Sequence, residues 1–360
     1  VKLGDVSGHD RVRTALSRAL ERDRLPPALL FAGPEGVGKK TMALAVAQAA
    51  LCEAAPRAEP CGECSVCRRV SRVSSPSHLA SLREEAARHP DEDEWGNFHL
   101  HPDLVLVEGW WLTRGGRPRL SPEIRVGQLR ALVAEVPGAP FEARRRVFVL
   151  DDAHTMNESS QNALLKSLEE PPPRSHLILV SSQPQSLRQT IRSRCQVLRF
   201  GPLSRPVVTR FLVAAGMAEE DARLRAALAA GSIGGALALE SEAYRALRGE
   251  LLDLLEALGE MDPLARIQRA EALEQAADPI LVLTTLRSLL RDVAAARAGA
   301  APAALLNADV APRLIALAQA PLGERAGRLA ERAGEAREAL RQFANRLLTL
   351  DVLVDALADR

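Results

Sequence analysis

Apolar residues along this chain follow two rhythms, and the change between them divides it. From residue 28 to about 200, short continuous apolar runs alternate with stretches whose apolar positions recur every three to four residues. The runs at 28–32, 103–107, 147–150 and 177–180 and the mixed segment 196–200 predict strands, and an unbroken apolar run is the pattern of a strand buried on both faces. Helices are predicted at 11–24 (Val12, Leu16 and Leu20 on one stripe), 42–51 and 124–136 (Leu129, Leu132, Val133). A further helix carries Leu164, Leu165 and Leu168, opens on a capping Asn157 and stops at Pro171-Pro172-Pro173. Strands alternating with helices indicate a parallel sheet covered on both faces. From about Pro202 the strand signals stop: helices at 207–215 and 221–230 end at Gly216 and Gly231, and Leu/Ala/Arg patterns run on to residue 360. The expected fold class is α/β followed by all-α.

One stretch fits neither rhythm. Residues 71–101 carry Ser/Pro clusters, an acidic run at 91–94 and four histidines, and read as a loop or insertion. His78, His89, His99 and His101 match no common ligand spacing, so they are expected to be non-ligands.

Composition narrows the setting. With 360 residues, 47% of them hydrophobic, the chain has material for two or three cored domains. Its net charge of +1 means that any nucleic-acid contact must come from a local patch. No run of 18 apolar residues would span a membrane and the first residues lack a signal-peptide core, so no membrane partner and a cytoplasmic location are expected.

The most informative stretch is Gly33-Pro34-Glu35-Gly36-Val37-Gly38-Lys39-Lys40-Thr41, between the first strand and an Ala-rich helix. Strand, glycine-rich loop and helix are the context of a phosphate-binding loop. Glycines let backbone N–H groups turn onto phosphate oxygens, and the helix aims its positive end at them. Lys39 stands where a lysine reaches the outer phosphates. The next position, where a Ser or Thr hydroxyl would ligate Mg²⁺, is Lys40. Thr41 lies about 100° further round the helix and does not restore the pattern. Asp151, at the end of a buried strand, is where a carboxylate reaches the metal of such a site, and Asp152 follows where a water-polarising glutamate is usual. Taken alone, the pair also reads as two strand-end acids with no metal role.

Four of the five cysteines, Cys52, Cys61, Cys64 and Cys67, fall within sixteen residues. Two-residue gaps let neighbouring thiolates share one Zn²⁺, and four thiolates leave no position for a catalytic water, so a structural zinc is expected. Redox or merely buried cysteines are the alternatives. Ser193-Arg194-Cys195 carries little weight by itself, since a surface arginine is the ordinary reading.

Together with His101-Pro102-Asp103, Val149-Leu150-Asp151-Asp152-Ala153, the run from Asn162-Ala163-Leu164-Leu165-Lys166 to Glu169-Glu170-Pro171-Pro172, and Ile191-Arg192-Ser193-Arg194-Cys195, these residues resemble the clamp-loader subunits of the AAA+ family. The delta-prime branch of bacterial DNA polymerase III is the most similar. The resemblance implies an AAA+ nucleotide-binding-like domain at 1–201 with a zinc module at 52–67, a helical lid at 202–241 and a helical collar for oligomerisation at 242–360. It implies a stator subunit in a loader with tau/gamma motor subunits and a delta subunit, acting on a sliding clamp and primed DNA. That assembly is part of the DNA polymerase III holoenzyme, a DNA-directed DNA polymerase. Arg194 would be an arginine finger serving a neighbouring subunit. Gly33, Gly36, Gly38, Lys39, Thr41, Asp151 and Asp152 would form a degenerate site for ATP or ADP, without hydrolysis. Gly234 occupies the place of a nucleotide-sensing arginine, and Ser181 or Ser182 that of a polar sensor. The rival is an active motor-type ATPase subunit of the same loader; Lys40, Asp152 and Gly234 each argue against it. An unrelated nucleotide kinase leaves the cysteines and the Ser-Arg-Cys triplet unexplained.

Overall fold

The computed structural model describes residues 2–73, 76–86, 97–109, 111–114, 117–120, 123–258, 261–276, 278–341 and 345–358. The chain divides into two compact units, one of residues 1–207 with 231–234 and one of residues 208–230 with 235–360.

The first unit is built on a six-stranded sheet. Its strands are β1 (Ala28–Ala32), β2 (Asn97–His101), β3 (Leu104–Val107), β6 (Arg146–Leu150), β7 (Ser175–Ser181) and β8 (Gln196–Arg199), in the order β2-β3-β6-β7-β1-β8. All neighbours are parallel except β2 and β3. Successive side chains of a strand point to opposite faces, which is why the apolar runs are continuous. Leu29, Phe31, Leu106, Val149 and Ile178 enter the core on one face. Leu30, Val105, Phe148, Leu150 and Leu177 enter a second core on the other. Each such side chain stabilises the fold by roughly 1.5–3 kcal/mol through its burial. The first face is covered by α1 (Asp10–Glu21), which buries Val12, Leu16 and Leu20, and by α2 (Lys39–Leu51). The second is covered by α5 (Val126–Glu135) and α6 (Glu158–Glu169), whose Leu129, Leu132, Leu164 and Leu168 are buried. Asn157 caps α6, its Oδ1 accepting the Ser160 N–H at 2.9 Å.

The structure corrects the reading of 71–101 as a loop. Helices α3 (Ser65–Val73) and α4 (Pro76–Ala86) occupy much of it, and β2 closes the sheet edge antiparallel to β3. Val66, Val70, Leu79, Phe98 and Leu100 join the first core. Their spacing was hidden by the Ser/Pro and histidine content around them. His89 and the acidic run at 91–94 lie outside the described residues. A two-stranded hairpin, β4 (Trp111–Arg114) with β5 (Arg117–Leu120), was also not anticipated, although Gly115-Gly116 in the sequence between them is a two-residue hairpin signal.

The second unit is helical. The short helices α8 (Arg205–Ala214) and α10 (Ile233–Ala238) begin in the first unit and end in the second. They are followed or accompanied by α9 (Glu219–Leu228), α11 (Ser241–Ala257), α12 (Pro263–Ala276), α13 (Pro279–Arg297), α14 (Ala311–Gln319), α15 (Pro321–Arg341) and α16 (Arg346–Ala358). Ala326, Ala330 and Ala333 of α15 share a core with Leu286, Leu289 and Leu290 of α13. The chain's single tyrosine explains itself here: the buried Tyr244 hydroxyl donates to Asn307 Oδ1 at 2.7 Å and bonds Ser288 Oγ at 2.8 Å. Asp292 accepts the Asn307 N–H and side-chain amide, each at 2.8 Å, so the knot is satisfied. Among the described residues no helix is long and apolar enough to cross a membrane.

Candidate functional site

Ligands of open parallel sheets bind beyond the carboxyl ends of the strands, and the phosphate loop lies there, after β1. Gly33 N–H donates to Ser181 O at 3.2 Å, and Phe200 N–H donates to Ala32 O at 2.8 Å, which ties the loop's entry to β7 and β8. Gly36 has a φ of 69°, a left-handed value that suits glycine. Gly38 precedes α2 without any side-chain cap, so the first N–H groups of the helix stay available to an anion. The buried Lys39 ammonium donates to Gly33 O at 2.8 Å and Pro34 O at 2.6 Å, spanning the loop.

The segment 231–234 closes against this loop. Gly234 N–H donates to Gly36 O at 2.9 Å. A Cβ at Gly234 would come within 3.0 Å of Gly36 Cα, and one at Gly36 within 2.2 Å of Ser232 Oγ. An arginine at 234 would therefore require the loop to move.

Lys40 does more than lack a hydroxyl. Its ammonium is ion-paired with Asp151 Oδ2 at 3.1 Å and with Glu108 Oε1. Glu108 follows β3 and Asp151 follows β6, one step beyond the paired residues Val107 and Leu150. Arg83 of α4 donates to both oxygens of Glu108, from Nε and Nη2, each at 2.7 Å. Sequence reasoning missed Glu108 and Arg83. Glu108 gave a signal, an acid directly after an apolar strand like Asp151, whereas Arg83 gave none. The divalent cation implied by the resemblance does not fit these residues, because an ammonium with no lone pair already sits on the carboxylates that would ligate it.

Asp152 has a φ of 47°, and its carboxyl is raised to about 6 by partial burial, then by the charges of Asp151 and Glu35. Ser182 Oγ bonds His154 Nε2 at 3.2 Å, while Ser181 Oγ accepts the Gln183 N–H at 3.2 Å. Thr41 is solvent-exposed on α2. Arg194 is exposed after the short helix α7 (Gln189–Arg192); its Nη2 pairs with Glu169 Oε1 at 2.8 Å and its Nη1 donates to Thr190 O at 2.9 Å. The next residue, Cys195, is buried, which pushes its thiol up to about 12.

His101-Pro102-Asp103 is a structural device. The Asp103 carboxylate is buried and accepts three backbone N–H groups, from Phe141, Glu142 and Ala143, at 2.7, 2.8 and 2.7 Å. The Asp103 backbone N–H donates to His101 Nδ1 at 3.0 Å. His78 is half-buried on α4, and His99 Nε2 lies 3.5 Å from Glu135.

The four cysteines converge at the C-terminal end of α2. Their sulfurs all lie within 4.8 Å of one another, with Cys61 and Cys67 Sγ 3.9 Å apart. Tetrahedral Zn–S bonds of about 2.3 Å put sulfurs about 3.8 Å apart, so the donor set fits such an ion with little movement. Backbone N–H groups of Cys61, Cys64 and Cys67 donate to the sulfurs of Cys52, Cys61 and Cys64 at 3.4, 3.3 and 3.3 Å. Burial raises the Cys52 and Cys67 thiols, whereas the N–H groups of Cys64 and Glu63 lower that of Cys61 to about 6.

Residues 8–204 match a family model described as DNA polymerase III, delta subunit. The chain is 33% identical over 216 residues to DNA polymerase III subunit delta′ of Bacillus subtilis, covering 60% of this chain and 54% of that protein. It is 30% identical over 280 residues to DNA polymerase III subunit tau of Escherichia coli, covering 76% of this chain and 38% of that protein. The matches thus span about half of the delta′ relative and less than two fifths of the tau relative. Among solved structures, a RuvB Holliday-junction branch-migration motor of Thermotoga maritima aligns at 16% identity and a TM-score of 0.40, over 69% of this chain and 66% of that one. A gamma-subunit-related protein of the same organism aligns over 97% and 99%, at 14% identity and a TM-score of 0.37.

Proposed function

The chain belongs to the family described as DNA polymerase III, delta subunit, and within it we propose a delta-prime-type stator of the sliding-clamp loader. In this reading the chain joins tau/gamma motor subunits and a delta subunit and supports ATP-driven loading of the clamp onto primed DNA. It does not hydrolyse ATP itself. The observation that carries the reading is Lys40, whose ammonium lies on Asp151 and Glu108 where hydrolysis needs a metal ion. Gly234, packed on Gly36, supports it from the other side of the loop, since no sensing arginine fits there without movement.

Arg194 is the group the chain lends. It is exposed next to α7 and lies outside the loop's own hydrogen-bond network, so its guanidinium can stabilise charge in a neighbouring subunit's site. The cysteines hold one structural Zn²⁺ that fastens a module at 52–67 to the end of α2. The chain is organised as an AAA+ domain at 1–201, a lid at 202–241 and a collar at 242–360, and ADP or ATP occupies the loop without turnover.

A motor-type ATPase subunit remains the second reading, favoured by the longer match to the tau relative. One experiment separates the two: steady-state phosphate release by the isolated full chain with ATP and Mg²⁺. A stator shows background rates; turnover comparable to that of a tau/gamma subunit makes the chain a motor.

A further inference from the structure

The ammonium of Lys40 sits in a charge arrangement that goes beyond a lost metal ligand. Glu108 and Asp151 stand side by side at the ends of β3 and β6, with side chains only 8% and 17% exposed. Arg83 grips Glu108 through two hydrogen bonds of 2.7 Å, and Lys40 bridges Glu108 and Asp151. Two cations bind these two carboxylates directly, while Lys39, Asp152 and Glu35 stand close enough to act on the group by charge. A divalent ion would need several oxygens at about 2.0–2.1 Å in octahedral array, and would meet a positive charge already in place. Lys40 also follows Lys39 directly at the open N-terminus of α2. An ammonium has three donors. Two are spent on the carboxylates, and a quarter of the side chain (25%) remains open to solvent. The third donor can therefore serve a phosphate oxygen, as a metal ion would.

We propose that Lys40 is a tethered substitute for the divalent cation, and that this loop takes a nucleoside di- or triphosphate without any metal ion. The proposal rests on the reading of the loop as a nucleotide site. Arg83 and Glu108 act as positioning residues: Arg83 fixes Glu108, and Glu108 with Asp151 aims the Lys40 ammonium.

The test is a titration of the full chain with a fluorescent ADP and with ATP, in Mg²⁺ and in EDTA, comparing the natural protein with Lys40→Thr and Lys40→Arg. The natural protein and Lys40→Arg should bind with affinities that differ by less than about twofold between the two buffers. Lys40→Thr should bind more weakly in EDTA and regain about tenfold or more in Mg²⁺. Paramagnetic resonance should find a Mn²⁺ bound at the loop in Lys40→Thr and none in the natural protein. Nucleotide binding by the natural protein that requires Mg²⁺ would overturn the proposal. So would metal-indifferent binding by a folded Lys40→Thr, or no nucleotide binding by the natural protein in either buffer. Failure of the stator reading is recognised separately, by ATP turnover in the phosphate-release assay.

Discussion

Replacing Glu108 with Gln tests whether the cluster under the phosphate loop is held together by charge. The carboxylate is 8% exposed and has Arg83 on one side and Lys40 on the other. Glu108→Gln keeps the shape and leaves two cations facing a neutral amide, with only Asp151 at 3.1 Å from Lys40 to compensate. Removing one partner of a fully buried ion pair costs about 3–5 kcal/mol. Lys40 and Arg83 are 25% and 31% exposed, so water recovers part of that, and a loss of about 2–3 kcal/mol is expected. In a domain of this size the corresponding fall in melting temperature is about 4–12 °C. Calorimetry of the full chain gives the shift, and hydrogen exchange of β3 and β6 amides localises it to the first unit. Glu158→Gln is the control, because its pair with Arg188 is 76% and 43% exposed and should contribute at most about 1 kcal/mol. Adding Arg83→Met to Glu108→Gln should recover part of the loss by removing the cation that has lost its carboxylate, while Lys40 keeps Asp151. If Glu108→Gln costs no more than Glu158→Gln, the electrostatic account of the cluster is wrong.

Two further outcomes follow from other parts of the chain. Protein purified without added metal should contain about one equivalent of zinc, and its removal by a chelator should loosen α3 and the end of α2 while the sheet persists, as judged by hydrogen exchange; metal-free protein with unchanged exchange at 52–67 would refute the site. The isolated chain, with a net charge of +1, should bind primed DNA weakly and with a shallow salt dependence, in a fluorescence-anisotropy titration across salt; tight, steeply salt-sensitive binding would contradict this.

What could be read from the sequence and what could not follow physical lines. Strands β1, β3, β6 and β7 were legible because a strand covered on both faces is a continuous apolar run, and Leu29 and Leu30 enter opposite cores. The cysteine cluster was legible because its spacing is short and local, and the four sulfurs do converge. Edge strand β2 and helix α4 were not, since one is half-apolar and interleaved with histidines and the other is announced by only a few leucines amid serines. Lys40 was recognised as a departure from local sequence alone. Its partners could not be, because Glu108 lies 68 residues away and Arg83 reaches Glu108 only through the tertiary fold. His101-Pro102-Asp103 is visible as a motif, but its purpose, three backbone N–H groups gathered from 141–143, exists only in the folded chain.

The central claim, that this subunit lends an arginine and does not hydrolyse ATP itself, is tested most directly in the assembled loader. The measurement is clamp- and DNA-stimulated ATP hydrolysis by complexes carrying Arg194→Ala or, as neighbour control, Arg192→Ala. Both complexes must first be shown to assemble with full zinc content. An arginine finger accelerates its own site on the order of a thousandfold or more. Arg194→Ala should therefore silence the one site this subunit adjoins, lowering total hydrolysis by that site's share if sites fire independently and almost completely if they fire in sequence. Arg192→Ala should leave the rate near that of the natural complex. Equal, negligible effects of the two substitutions in assembled complexes would contradict the account.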